Sequence, residues 1–162
     1  MPGPRDRNPQ GRAENARPRD GLGRPLPHGS AGVERVEARD RTIDEALDEA
    51  QDYLDREMPF HAHEVLEEQW KALGPDERSL WQGLAQLAVG LTHQRRGNAR
   101  GARAVTSRGA DAVAGHLEDP PHGIDVAGLL SWARALADHP EAEAPVPRLR
   151  AGPARFGEDV AP

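Results

Sequence analysis

The sequence predicts an all-α protein, a compact antiparallel bundle of about five helices with disordered N- and C-terminal tails. Three observations predict it. Apolar residues recur at three- and four-residue intervals in five segments, and no segment alternates as a strand would. The links between segments are short, roughly two to six residues, which favours neighbours running in opposite directions. Both ends hold few large apolar side chains. Residues 1–32 are rich in Pro, Gly and Arg, and residues 140–162 in Pro and Ala. Such stretches bury too little surface to offset the entropy of ordering. The expected organisation is therefore a basic tail over 1–32, a helical domain over 33–139 and a second tail over 140–162.

The first helix starts at or before Thr42, an N-cap with Glu45 at the capping-box spacing. Ile43, Ala46, Leu47, Ala50, Tyr53 and Leu54 follow at helical spacing. Met58-Pro59 closes it, and Pro59 suits the first turn of the next helix, which runs to about Leu73. Asp76 or Ser79 is the expected cap of the third helix, the most apolar segment, "LWQGLAQLAVGLTHQ". Gly97-Asn98 is its expected left-handed stop. The fourth helix covers about Ala99 to Leu117, and the fifth is "IDVAGLLSWARALADH" with Asp125 as cap. Trp70, Trp81 and Trp132 are expected as core or core-edge anchors.

Charge and composition remove several functions. Residues 33–139 carry 12 basic and 20 acidic residues, a net −8, whereas residues 1–32 carry +3. An acidic folded region repels phosphates, so nucleic acid and anionic membranes are disfavoured partners. The chain has no cysteine, so disulfides and thiolate metal sites are excluded. No apolar run has the length of a membrane span or a secretory signal. A cytoplasmic location is expected.

The second helix, "FHAHEVLEEQW", carries the most informative pattern. At about 100° per residue, Ala62, Leu73, Leu66, Trp70, His63, Glu67 and Phe60 share one half of the helix. His61, Glu68 and Val65 are expected to face away, with Glu64 at the edge. His63 and Glu67 lie one turn apart and can touch. If buried, they need partners. On the third helix, Leu80, Trp81, Leu84, Leu87, Ala88 and Leu91 form the apolar side. Gln82, Gln86 and His93 form another stripe, with Val89 among them and Gly83 and Gly90 beside it. Glycines there point to close approach of another helix. The Gln82/Gln86/His93 stripe is expected to face His63 and Glu67 as a buried polar cluster. Among the remaining histidines, His61 and His122 are expected exposed, His28 in the tail, and His116 packed.

"FHAHEVLEEQW" followed by "WQGLAQLAVGLTHQRRGNARGA" resembles the small bacterial and plastid proteins grouped as domain of unknown function 309, over roughly residues 42 to 117. The resemblance carries over to His63, Glu64, Glu67, Trp70, Gln82, Gly83, Gln86, His93, Gly97, Asn98, Gly101 and Ala102. It implies a helical bundle and no established reaction. Thr92 departs from the family pattern, where a longer or aromatic residue is common, so a wider or more polar pocket is expected there.

Three functions compete. The favoured one is a structural polar network, or the lining of a small-ligand pocket, built from His63, Glu64, Glu67, Gln82, Gln86 and His93. Trp70, Gly83, Gly97, Asn98 and Gly101 then serve packing and turns. The first alternative is a metal-dependent enzyme. "His63-Glu64-x-x-Glu67" replaces the second histidine of the zinc-protease motif by Glu, but His63, Glu67 and His93 would make a two-histidine, one-carboxylate set. No cofactor is required by the sequence; a divalent metal is the one to test. Without a Ser or Cys nucleophile nearby, a hydrolase has little support. The second alternative is a protein-interaction adaptor, using the basic turn of Arg95, Arg96, Arg100, Arg103 and Arg108. The partner is thus a small ligand or a protein, and a homo-oligomer is compatible with the sequence.

Overall fold

The computed structural model describes residues 35–151, together with Asp20, Leu22, Arg24 and Gly32. The expectations for the rest of 1–32, His28 included, and for 152–162 lie outside the described residues. Five helices follow in chain order: α1 (Ile43–Asp55), α2 (Pro59–Ala72), α3 (Pro75–Arg95), α4 (Ala99–Ala114) and α5 (Val126–Asp138). A single 3-10 turn, Pro121–Gly123, precedes α5. The described residues contain no strand, only an isolated antiparallel bridge between Ile124 and Arg150.

Local chemistry sets the helix ends. Thr42 and Glu45 form the expected capping box: Thr42 Oγ1 accepts from the Glu45 N–H at 3.1 Å, and Glu45 Oε1 accepts from the Thr42 N–H at 2.9 Å. Pro59 occupies the start of α2. α3 begins earlier than expected, with Gly74 as N-cap and no side-chain cap bond. Pro75 explains this, because its fixed φ suits the first helical position. Asp76 and Glu77 then sit in the first turn, where the helix dipole favours acids. Gly97 takes φ +80° and ends α3. Asn98 caps α4 by accepting from the Gly101 N–H at 3.0 Å, and Asp125 caps α5 through the Gly128 N–H at 3.1 Å. α4 ends at Ala114 rather than Leu117, which is 46% exposed.

Each helix packs on the next along the chain. Trp81 is fully enclosed, and Leu47, Leu66, Leu84 and Leu129 are buried in the same core. Trp70 and Trp132 are half-buried at its edge. The closest helix approach is α3 on α4. A methyl group at Gly83 would stand 2.8 Å from Val113 Cγ1 and 3.0 Å from the Gly109 carbonyl oxygen, and Gly90 abuts Thr106. Residue numbers rise along α3 as they fall along α4, so the two run antiparallel. The glycines therefore do admit a helix, and it is α4.

Two segments outside the helices are fixed to them. Arg41, its side chain 1% exposed, ties residues 37–41 to α1 and α2. It pairs with Glu49 and with Glu68 at 3.1 Å, and donates to the carbonyls of Glu37 and Arg39. Residues 139–151 form a strap across α1, α3 and α5. For residues 140–151 this corrects the expectation of a solvated tail. Leu149 is only 2% exposed, and Pro140 and Pro147 are buried. Gln94 Nε2 donates to the carbonyls of Pro140 and Ala142, while its Oε1 accepts from the Ala144 N–H. Gln51 does the same for the Pro147 carbonyl and the Leu149 N–H. Composition hides this, because the hold is on the backbone. No helix among the described residues is long and apolar enough to cross a membrane.

Candidate functional site

The buried face of α2 is turned by about one residue, ~100°, from the expected one. His61, Ala62, Val65, Leu66 and Gln69 are the residues inside, together with Pro59. The expectation that His61 and Val65 face outward is thus corrected. α2 lies between α1 and α3, and the His61 ring lies against Tyr53 of α1 with centroids 5.2 Å apart. Phe60, Trp70 and Leu73, which had pulled the expected face toward themselves, lie half-buried along its margin.

That rotation carries His63 and Glu67 to the rim of an open groove between α2, α3 and α4. The groove holds about 310 Å³ and is lined by His63, Glu67 and Trp70 of α2, Gln82, Ala85, Gln86 and Val89 of α3, and Val105 and Arg108 of α4. The structure thus brings His63, Glu67, Gln82 and Gln86 together, as expected, but not as a buried network. The His63 and Glu67 side chains are 19% and 36% exposed, Gln82 is exposed, and Gln86 is half-buried. Glu64 does not line the groove.

His63 Nε2 lies 2.7 Å from Glu67 Oε2, and its Nδ1 lies 3.3 Å from the Phe60 carbonyl. Both ring nitrogens face oxygen atoms of its own helix. Lys71 places an ammonium 3.4 Å from Glu67 Oε1. Both Glu67 carboxylate oxygens are therefore contacted from its own helix. Arg108, exposed on α4, forms no ion pair within 4.0 Å among the described residues. Trp70 Nε1 is buried with no hydrogen-bond partner. Sequence reasoning placed Arg108 at the basic turn, because only the packing of α4 on α3 brings it to the groove.

His93 does not join this site. It stands at the α3–α4 corner, with Nδ1 3.1 Å from Asn98 Nδ2. The Asn98 amide is oriented by its cap, since Oδ1 is occupied by the Gly101 N–H. Nδ2 is then the donor and His93 Nδ1 the acceptor. Burial lowers the His93 pKa below its usual value, and the nearby Arg96 charge adds to this. A side chain at Gly101 would press on both Asn98 and His93. His93, Gly97, Asn98 and Gly101 are therefore one corner-turning unit. Among the described residues, no three His, Asp or Glu side chains converge as a metal would require. The expected set of His63, Glu67 and His93 fails because α3 places His93 beyond the groove. Thr92 is buried and donates to the Ala88 carbonyl at 2.9 Å, and it lines neither the groove nor the cavities beside the strap.

The expected basic cluster also disperses. Arg95 turns to Glu57 at 2.8 Å and to the Ala144 carbonyl, and Arg103 donates to the Ala137 carbonyl. Arg96 reaches the Leu22 carbonyl, and Arg100 is exposed. His122 is exposed as expected but pairs with Glu77 at 2.6 Å, and His116 Nε2 lies 3.0 Å from Ser79 Oγ.

Residues 47–105 match the family model described as Domain of unknown function (DUF309). The span contains every groove residue except Arg108, and it omits the strap. The chain is 35% identical over 98 residues to a curated relative, the uncharacterized protein YpuF of Bacillus subtilis (strain 168). That match covers 55% of this chain and 56% of the relative, so the chain spans little more than half the relative's length. No solved structure matches. Residues 47–105, which hold the Gly97 corner and the Asn98 cap of α4, thus match a DUF309 domain.

Proposed function

We propose that the protein is a non-catalytic binding domain whose α2–α3–α4 groove takes a small amphipathic carboxylate. The observation that carries this reading is the pairing of an apolar floor with an unspent cation. Trp70, Ala85, Val89 and Val105 supply apolar surface, and Arg108 stands at the rim without an ion pair among the described residues. Gln82 and Gln86 offer amide donors and acceptors between the two. A groove of about 310 Å³ falls at the small end of ligand pockets, which run from about 300 to 1,000 Å³. Because the groove is open, its polar groups can exchange water for a ligand. A closed structural network would gain nothing from such an arrangement. Glu67 is paired with Lys71 on its own helix and so opposes an incoming carboxylate less than a free one would.

The test is an NMR titration of the full chain with phenylpropionate and octanoate, against the corresponding alcohols. Saturable shifts are expected at the Trp70 indole N–H and the Gln82 and Gln86 side-chain amides. Arg108→Ala should weaken carboxylate binding about tenfold, in line with loss of a charge-assisted hydrogen bond, and leave the alcohols unaffected. If millimolar carboxylate moves none of these resonances saturably, the groove is not such a site.

A further inference from the structure

We infer that the channel under residues 139–151 is a receptor for an extended, proline-punctuated segment of a partner protein, for which the chain's own strap is a stand-in. This is a different surface from the groove, and it does not depend on the reading given there.

The channel recognises main chain. The carbonyls of Pro140, Ala142, Ala144, Pro145, Pro147 and Leu149 all accept hydrogen bonds from the body of the protein. Gln94 serves the first two, Arg95 the third, Trp132 Nε1 the fourth at 2.6 Å, Gln51 the fifth and the Asp125 N–H the last at 2.9 Å. Gln51 and Gln94 also each accept one strap N–H. A carboxamide that both donates to and accepts from a passing backbone mimics the edge of a β-sheet. Such contacts bind many sequences, provided the chain is held out of helix. Proline does that, because the residue before it is steered to extended backbone.

Side chains are read at few positions. Pro147 and Leu149 are buried, whereas Glu141, Glu143 and Pro145 are exposed. Beside them α1 presents an acidic lip. Arg148 pairs with Asp55 at 3.0 Å, and Arg150 pairs with Asp48 and with Asp44 at 3.0 Å. The channel therefore fits an extended segment with a proline, a large apolar residue two places on, and basic residues around it.

The strap does not fill its bed. A cavity of about 410 Å³ lies beside Gln51, Leu149 and Arg150, and an apolar one of about 490 Å³ lies between Trp132, Leu136 and Pro145. Besides Leu149, Pro140 and Pro147, which are buried, the strap is held by neutral hydrogen bonds and exposed ion pairs, each of modest net worth. Local release is thus the kind of opening that folded domains sample without unfolding.

Fluorescence polarisation with a labelled peptide of residues 142–151 tests this on the full chain. The full chain should bind it weakly, because its own strap competes. Leu149→Ser loosens the strap and should bind the wild-type peptide at least about tenfold more tightly. Adding Gln51→Ala, on the outer side of α1, should remove that gain, and the peptide carrying Leu149→Ser should not bind. If Leu149→Ser lowers helicity, the variant Arg148→Glu/Arg150→Glu, which sets two anions against the acidic lip, replaces it. A folded strap variant that binds no more tightly than the unaltered chain overturns the proposal. So does binding that survives Gln51→Ala unchanged.

Discussion

Gly90 on α3 and Thr106 on α4 face each other so closely that a methyl group at Gly90 would stand 1.9 Å from Thr106 Oγ1. Thr106 is fully buried, and its hydroxyl has no hydrogen-bond partner. Gly90→Ala gains about 1 kcal/mol of helix propensity but forces the helices apart, at the upper end of the ~1–3 kcal/mol cost of overpacking. A net loss of about 1–2 kcal/mol is expected in urea melts. Thr106→Ala added to it should recover part of that loss. An unchanged midpoint for Gly90→Ala would show that the helix contact is looser than described.

Arg41 is the only guanidinium in reach of both Glu49 and Glu68 among the described ion pairs. Replacing it with Met leaves the carbonyls of Glu37 and Arg39 and two carboxylates without that donor. The carboxylates keep some solvent, so the expected cost is about 2–3 kcal/mol, below the ~3–5 of a fully buried pair. Arg41→Lys should recover little, because an ammonium cannot reproduce the planar fork. A full recovery by Lys would reduce the site to simple charge.

The strap offers a protease readout. Arg148 is exposed, and its peptide bond is held down on one side by Leu149. Gln94→Ala should cost about 1–3 kcal/mol for the groups left unpaired. Trypsin should then cut after Arg148 several-fold faster, while cleavage within the helices is unchanged. Equal rates in both chains would mean that Gln94 does not secure the strap.

His93 predicts a pH dependence. Its folded pKa lies below the usual histidine value, so the unfolded chain binds the proton more readily. Its contribution to stability is then complete above the unfolded pKa and is lost as pH falls through the folded one. Between pH 7 and 5, His93→Gln should lose less stability than the unaltered chain does. Asn98→Asp keeps a good N-cap but places a carboxylate at Nδ1, and should shrink or reverse the His93 contribution. Parallel pH–stability curves for the unaltered chain and His93→Gln would remove His93 from the account.

How much was legible in the sequence differs by element. The Thr42–Glu45 box, Pro59, the Gly97-Asn98 corner and the Asp125 cap are local chemistry, and each stands where its spacing placed it. The face of α2 was not local. Phe60, Trp70 and Leu73 are large and apolar, so a period count weights them heavily, but rings at a margin are covered on one side only. Val65, Gln69 and His61 went inward because α1 and α3 grip the helix from both sides. His63 and Glu67 remained next to Gln82 and Gln86, since those pairs follow from adjacent helices. The strap escaped because backbone hydrogen bonding leaves no mark on hydropathy. Arg108 escaped because its helix had to be placed before its direction could be known.

At Gly83, Gly90 and Gly109 the α3 and α4 backbones come close, with only the Val113, Thr106 and Leu87 side chains reaching into the gap, so the two helices pack as one plate. One wall and the floor of the groove belong to that plate. α2 makes no such glycine contact with α3. A guest too wide for the groove at rest would therefore be admitted by a swing of α2, carrying His63, Glu67 and Trp70 with it, against a jaw that does not move.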